Sequence, residues 1–388
     1  MKVSALSSRK DNKKVENQNS VTHNTLTCNA RIDEAVTCDC GFSDTAASDP
    51  VGSDPVASDP AASYGNLSLF KRNLLGIRGL SRKVLLGYLS DAETFIEVNS
   101  RAIKKVPTLR GKSVINLFLE PSTRTRTSFE LAAKRLSADA INISGSSSSV
   151  QKGESLSDTV ETLQAMSPDV VVLRHHQSGA AIFVAQHVPG VVVVNAGDGS
   201  NEHPTQALLD LLAIKRRLGR VEGLKIAIVG DVLHSRVARS ALYAHKLLGN
   251  SVRLVGPPTL VPEMFSACEL FGTNVSVHHN LFEGIEGVDV VVCLRMQFER
   301  QEGNFIASVL EYSRKFCVGE ELLTKVAPKS VVLHPGPINR GIEIASQVAD
   351  GPRAVIKDQV SCGVAVRMAV LLTLMRGVAG GSFEKDFE

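Results

Sequence analysis

Hydrophobic positions fall into two textures along the chain. From about Asn66 onward, short runs of β-branched and aliphatic residues alternate with longer stretches whose apolar residues recur every three or four positions. The first kind predicts buried strands, the second amphipathic helices. Leu80–Asn99 reads as a helix with Leu85, Leu86, Leu89, Phe95 and Ile96 inward. Strands are predicted over Ser113–Leu119, Ala140–Ile143, Val170–Leu173 and Val191–Asn195, and helices over Ser128–Leu136, Ser155–Ala165 and His203–Leu218. A second series has strands Lys225–Val229, Val252–Val255, Val288–Leu294 and Ser330–Leu333, a helix over Val237–Leu248, and a closing helix over Gly363–Met375. Continuous apolar strands separated by helices imply parallel sheets covered on both faces. Two such series predict an α/β protein with two doubly wound parallel-sheet domains joined by long helices.

Residues 1–65 have the other texture: rich in Ser, Asn, Asp and Thr, with a repeated Ser48-Asp49-Pro50, Ser53-Asp54-Pro55, Ser58-Asp59-Pro60. Such a segment buries too little apolar surface to offset its ordering entropy, so a disordered extension is expected. Its nine Asp/Glu against two Arg argue against an organelle transit peptide. Over the whole chain, 43 Lys+Arg against 40 Asp+Glu leave a charge of +3, which points to neither nucleic acid nor a membrane surface as partner. The most apolar stretch, Val364–Met375, already contains Arg367, so no membrane span is expected. Seven cysteines without a Cys-x-x-Cys make a disulfide framework or a Cys-rich zinc site improbable, and a cytoplasmic location is expected.

In open parallel sheets ligands bind beyond the carboxyl ends of the strands. That rule selects Glu120–Arg126, Ser144–Lys152, Arg174–His176, Asn195–His203, Gly230–Arg236, Arg295–Arg300 and His334–Arg340. Ser122-Thr123-Arg124-Thr125-Arg126 places three hydroxyls and two guanidiniums where a helix start exposes unpaired N–H groups, a phosphate cradle without glycines. Lys152 ends a Gly/Ser-rich loop, which reads equally as a solvated loop or as a lid closing on an anion. Arg174 suits a carbonyl or phosphate oxygen; the adjacent His175 and His176 lack the companions of a zinc site, and no metal is expected. His203 opens a helix, where the dipole favours neutral imidazole able to donate one N–H to an oxyanion, though a packing histidine fits as well. Gly230–Arg236 lacks the glycine fingerprint of a dinucleotide site, so no nucleotide cofactor is expected. Arg236 and Arg295, in one domain and opposite a phosphate-type site in the other, suggest a dicarboxylate substrate.

Together these motifs resemble the aspartate/ornithine carbamoyltransferases. Ser122–Arg126 resembles the carbamoyl phosphate signature. His203-Pro204-Thr205-Gln206, His334-Pro335-Gly336-Pro337 and Arg295-Met296-Gln297-Phe298-Glu299-Arg300 are similar to the aspartate branch, since the ornithine branch usually carries Cys in the first two. The resemblance runs from about Asn66 to Arg376. It implies transfer of a carbamoyl group from carbamoyl phosphate to L-aspartate, an early step of pyrimidine synthesis, with no cofactor. It places a carbamoyl phosphate-binding domain at 66–204 plus 354–380 and an aspartate-binding domain at 205–353. By motif, Ser122, Thr123, Arg124 and Thr125 hold the phosphate; Thr125, Arg174 and His203 contact the carbamoyl oxygen; and Gln206 lies near the carbamoyl nitrogen. Gly336 and Pro337 offer backbone groups to the same ligand, Gly336 standing where some members have Leu or Ala. Arg236, Arg295 and Gln297 bind the aspartate carboxylates, and Lys152 contacts both substrates. Ser148 and Lys152 enter the site of a neighbouring subunit, implying a homotrimer with shared sites, with or without regulatory or dihydroorotase-like chains. The alternatives are another amine acceptor such as ornithine, and a non-catalytic scaffold of the same fold.

Overall fold

The computed structural model describes residues 68–145, 153–272, 274–297 and 305–380. The extension predicted over 1–65, Ser148 and Lys152 lie outside the described residues.

Two short-looped helices come first, α1 (Ser68–Arg72) and α2 (Arg82–Ser100), the latter capped by Ser81, whose hydroxyl accepts the Val84 amide. The first sheet follows as β1 (Ser113–Phe118), α3 (Thr123–Arg135), β2 (Asp139–Ser144), α4 (Leu156–Ala165), β3 (Val170–His175), α5 (Ala180–His187) and β4 (Val192–Asp198). Its strands are all parallel in the order β2-β1-β3-β4. Every residue of β3 and β4 is buried, as continuous Val runs require, whereas β2 is an edge with Ile141 half exposed.

Helix α6 (Pro204–Leu218) leads into the second lobe. It comprises β5 (Lys225–Val229), α7 (Arg236–Leu247), β6 (Ser251–Val255), α8 (Met264–Ala267), β7 (Val275–His278), α9 (Leu281–Ile285), β8 (Val290–Cys293), α10 (Val309–Phe316), α11 (Glu320–Val326) and β9 (Val331–Leu333). This sheet is parallel in the order β7-β6-β5-β8-β9. After the single turn α12 (Ser346–Ala349), the chain returns to the first lobe as α13 (Ile356–Gly380), which packs on α2, α3 and α6. Both sheets belong to one compact unit.

All eight predicted strands are present, and the edge strand β7 is additional. Two helices begin earlier than their apolar pattern suggests. Helix α3 starts at Thr123 rather than Ser128, so the hydroxyl-and-arginine motif forms its first turn. Helix α13 starts at Ile356 and runs through Gly363, because that glycine is a contact and not a boundary: a Cβ there would lie 2.6 Å from Arg367 Nη1 and 3.3 Å from Leu209 Cδ2. The 22-residue stretch Ile356–Gly377 is long and apolar enough to cross a bilayer, yet 72% of its most apolar window is buried within the protein. It is the core helix of the first lobe.

Candidate functional site

Local sequence builds the site one strand end at a time. Ser122 caps α3 in an extended conformation (φ −162°, ψ 99°) without spending its side chain on the cap. The first-turn amides and the hydroxyls of Ser122, Thr123 and Thr125 therefore face the opening together. At the end of β3 the register against β4 slips between Leu173 and His175, a bulge that re-aims Arg174. Beyond β4, Asp198 ties the loop into a fixed shape: Oδ1 accepts Asn195 Nδ2 (2.8 Å) and the Glu202 amide (3.1 Å), while Oδ2 accepts the Gly179 amide (2.7 Å) and Asn201 Nδ2 (3.0 Å). That loop delivers His203 as the N-cap of α6, with no capping bond from its side chain and its amide donating to Ser240 Oγ at 2.8 Å. In the second lobe Ser235 caps α7, and Arg236 is the helix's first residue.

These segments converge on one cavity of about 540 Å³ between the two sheets. It is lined by Ser122, Thr123, Arg124, Thr125, Arg174, His203, Gln206, Arg236, Arg295, Gln297, Gly336 and Pro337, which are all of the sequence-selected residues that are described. Ser148 and Lys152 lie outside the described residues. Each lining segment follows a parallel strand or opens the helix after it, the geometry expected of open α/β sheets.

The cavity's charge is strongly one-sided: Arg124, Arg174, Arg236 and Arg295 against a single carboxylate, Glu120. Burial, and after it the charge of the nearby Arg295, hold the Arg124 guanidinium below its ordinary pKa. Glu120 was not singled out by motif, yet it organises the site. Its Oε1 accepts Arg174 Nη2 at 2.9 Å and Arg236 Nη2 at 2.7 Å, and its Oε2 accepts Arg236 Nη1 at 2.7 Å. Arg174 Nη1 also donates to Ala196 O (3.2 Å), and Arg236 Nη1 to Gly199 O (3.2 Å). The one sequence signal for Glu120 is a carboxylate directly after a buried strand in an otherwise cationic set of loops.

Gln297 Nε2 donates to the His234 carbonyl at 3.3 Å, and His234 Nδ1 pairs with Asp231 Oδ1 at 2.8 Å. On the opposite wall Gly336 adopts φ +60°, and a Cβ built on it would stand 2.6 Å from Arg124 Cζ. Glycine is what allows the backbone of this loop to lie against the guanidinium. His176 stacks on His175 at 4.3 Å, and His175 Nδ1 accepts the Gln177 amide at 3.0 Å, so this pair serves the loop.

Fold and cavity thus define a two-lobed α/β protein with an arginine-lined cavity, suited to small anions, between parallel sheets. Residues 72–216 match the family model "Aspartate/ornithine carbamoyltransferase, carbamoyl-P binding domain", and residues 222–374 match the "Asp/Orn binding domain" of the same family. The aspartate carbamoyltransferase catalytic subunit of Magnetococcus marinus is 57% identical over 318 residues, covering 80% of this chain and 95% of that protein. Among solved structures, aspartate transcarbamoylase of Trypanosoma cruzi in complex with carbamoyl phosphate and aspartate superposes with a TM-score of 0.71 at 31% identity, covering 79% of this chain and 98% of that one. Ornithine carbamoyltransferase from Pyrococcus furiosus superposes almost equally, TM-score 0.70 at 26% identity over 79% and 98%. The chain belongs to the aspartate/ornithine carbamoyltransferase family.

Proposed function

We propose that the chain transfers the carbamoyl group of carbamoyl phosphate to the amine of L-aspartate, giving N-carbamoyl-L-aspartate and phosphate. The observation that carries this reading is the sorting of the cavity: hydroxyls and Arg124 at a helix start on one lobe, Arg236, Arg295 and Gln297 on the other, with Arg174, His203 and Gln206 beside them. The fold alone does not separate aspartate from ornithine, because both superpose alike. The acceptor side does: it presents guanidiniums, which suit two carboxylates and repel the side-chain ammonium of ornithine.

Each role follows from charge flow. The attacking nucleophile is the substrate's own amine, so the protein supplies orientation and electrostatics. The α3 N-terminus with Ser122, Thr123, Arg124 and Thr125 holds the phosphate. Thr125, Arg174 and His203 donate to the carbamoyl oxygen as it becomes an oxyanion, while Gln206 and the backbone of Pro335–Pro337 face the carbamoyl nitrogen. Arg236, Arg295 and Gln297 orient aspartate so that its amine meets the carbonyl carbon. Collapse of the tetrahedral intermediate breaks the bond to phosphate. The phosphate leaves with that electron pair and takes the amine proton, and Arg124 neutralises it. No protein group need change protonation.

The enzyme is read as a cytoplasmic homotrimer in which Ser148 and Lys152 complete a neighbouring site. Support comes from the exposed edge strand β2 with Ile141, from exposed Leu131 on α3, and from the free thiols of Cys268, Cys293, Cys317 and Cys362 among the described residues. Purified chain incubated with carbamoyl phosphate and either L-aspartate or L-ornithine tests the reaction. Carbamoyl-aspartate is expected; citrulline would reassign the acceptor pocket, and no product from either would favour a scaffold.

A further inference from the structure

Behind the cavity lies a buried polar chain in which the reaction scheme assigns a role to the Gln206 side chain alone. Asp210 sits one turn after Gln206 on α6, on the same helix face, and both are buried. Gln206 Nε2 donates to Asp210 Oδ1 at 2.9 Å, and Gln359 Nε2, from α13, donates to the same oxygen at 2.6 Å. Gln359 Oε1 in turn accepts the backbone amide of His334 at 3.0 Å.

The two ends of a glutamine amide have nearly the same shape, so hydrogen bonding decides which way it points. Here the decision propagates from a fixed end. A backbone N–H can only donate, so Gln359 must turn its oxygen to His334 and its NH2 to Asp210. Asp210 accepts, and Gln206 must spend its NH2 on Asp210 too. Gln206 Oε1 is left as the end of that amide offered to the cavity that Gln206 lines. The NH2 groups of Gln359 and Gln206, and after them the charge of Arg367, buried on α13 with Nη1 on Gly363 O (2.9 Å) and its guanidinium 5.0 Å over Phe129, favour the ionised, accepting form of Asp210. Burial pushes the Asp210 carboxyl up to about 7, so its accepting role is complete on the alkaline side of neutrality.

We propose that Asp210 is a positioning residue that locks Gln206 with its carbonyl oxygen toward the acyl phosphate, so that the site selects an NH2-bearing acyl group over its methyl isostere. This rests on the carbamoyl-transfer reading and adds what makes that site read nitrogen. An acceptor facing NH2 gains a hydrogen bond, and the same acceptor facing CH3 is left buried and unsatisfied. Gln359 extends the device to the loop after His334, which carries Pro335, Gly336 and Pro337 along the opposite wall.

The test is calorimetric titration of the full chain at pH 8 with phosphonoacetamide, with 2-oxopropylphosphonate, which differs by NH2 to CH3, and with inorganic phosphate. The parent protein is expected to prefer the amide by about tenfold or more. Asp210→Ala removes the one oxygen that both glutamines share, so nothing holds the Gln206 amide in one orientation. The preference should then fall at least about threefold while phosphate binding stays within about twofold of the parent. In a Gln206→Met background the same replacement should change the preference no further, as a double-mutant cycle requires. Should Asp210→Ala not fold, Asp210→Ala combined with Arg367→Met, which also removes the buried cation beside the lost carboxylate, should reduce the preference at least about threefold. A full preference retained in the folded variant would overturn the proposal, and so would joint loss of phosphate binding, the mark of a merely structural role. A parent protein without preference would overturn the carbamoyl reading itself.

Discussion

Glu120 and Arg236, 116 residues apart in sequence, form a two-pronged ion pair, Nη1 to Oε2 and Nη2 to Oε1, each at 2.7 Å. The pair joins the end of β1 in the first lobe to the start of α7 in the second, and Arg174 shares the same carboxylate. Removing Glu120 would leave two desolvated guanidiniums to reorient.

Glu120→Gln is therefore expected to raise the KM for aspartate about tenfold, because Arg236 loses its fixed approach, with a smaller change in the KM for carbamoyl phosphate. Steady-state kinetics with both substrates varied would decide. A lower KM for aspartate would mean that Glu120 competes with the substrate carboxylate and does not hold its receptor in place.

Gly336 gives a second prediction. Its positive φ and its nearness to Arg124 mean that even a methyl group must displace the guanidinium. Gly336→Ala should raise the KM for carbamoyl phosphate about tenfold and cost on the order of 1–2 kcal/mol of stability. Kinetics together with urea unfolding check both parts; unchanged phosphate affinity would show that Arg124 reaches the ligand from another rotamer.

Arg124→Ala should reduce turnover by 10²-fold or more, since the leaving phosphate loses its neutralising charge. If Lys152 acts across a subunit boundary, mixing inactive Lys152→Ala and Arg124→Ala chains should restore activity, because some hybrid sites draw both intact residues. Mixtures no more active than their components would argue that each site is built from one chain.

Glu202 makes a pH-dependent contribution. Its Oε2 accepts the Ile77 amide (2.7 Å) and Ser240 Oγ (2.8 Å), and its Oε1 accepts the Arg78 amide (3.2 Å), so one carboxyl joins the segment before α2, the loop before His203 and helix α7. Burial, helped by the Asp198 charge, pushes it up from 4.5 to about 7 against those hydrogen bonds. The folded state then holds a proton that the unfolded chain has released, so this contribution is present below pH 4.5 and is lost as pH rises through 7. Glu202→Gln does not titrate. Its stability relative to the parent should climb between pH 4.5 and 7 by roughly 3 kcal/mol and level off above. Urea midpoints at pH 5, 6, 7 and 8 would measure it; a flat difference would mean that Glu202 stays ionised throughout.

The sequence made the frame legible because buried parallel strands are nearly pure runs of Val, Ile and Leu, and because the anion-binding loops must follow them. It concealed elements whose signal is weak or shared. Helix α5 starts after Gly179, an N-cap in a left-handed conformation without a capping side chain, and β7 is a four-residue edge strand. In the site, the cations were visible one by one since each sits in a recognisable motif. Glu120 and Asp210 were not. Their roles exist only where chain folding brings Arg174 and Arg236 to one carboxylate, or Gln359 to a residue 149 positions earlier. Periodicity reports which face is buried, and it carries no information about such distant partners.

Helix α13 closes the first lobe although it is made last. Its packing on α2, α3 and α6 completes a core whose strands all precede residue 199, while the whole second sheet lies between. During synthesis the first lobe must therefore wait with an uncovered apolar face until some 150 further residues have emerged, whereas the second lobe already has all its strands. The order of assembly is the reverse of the order of translation: the lobe begun first is finished second.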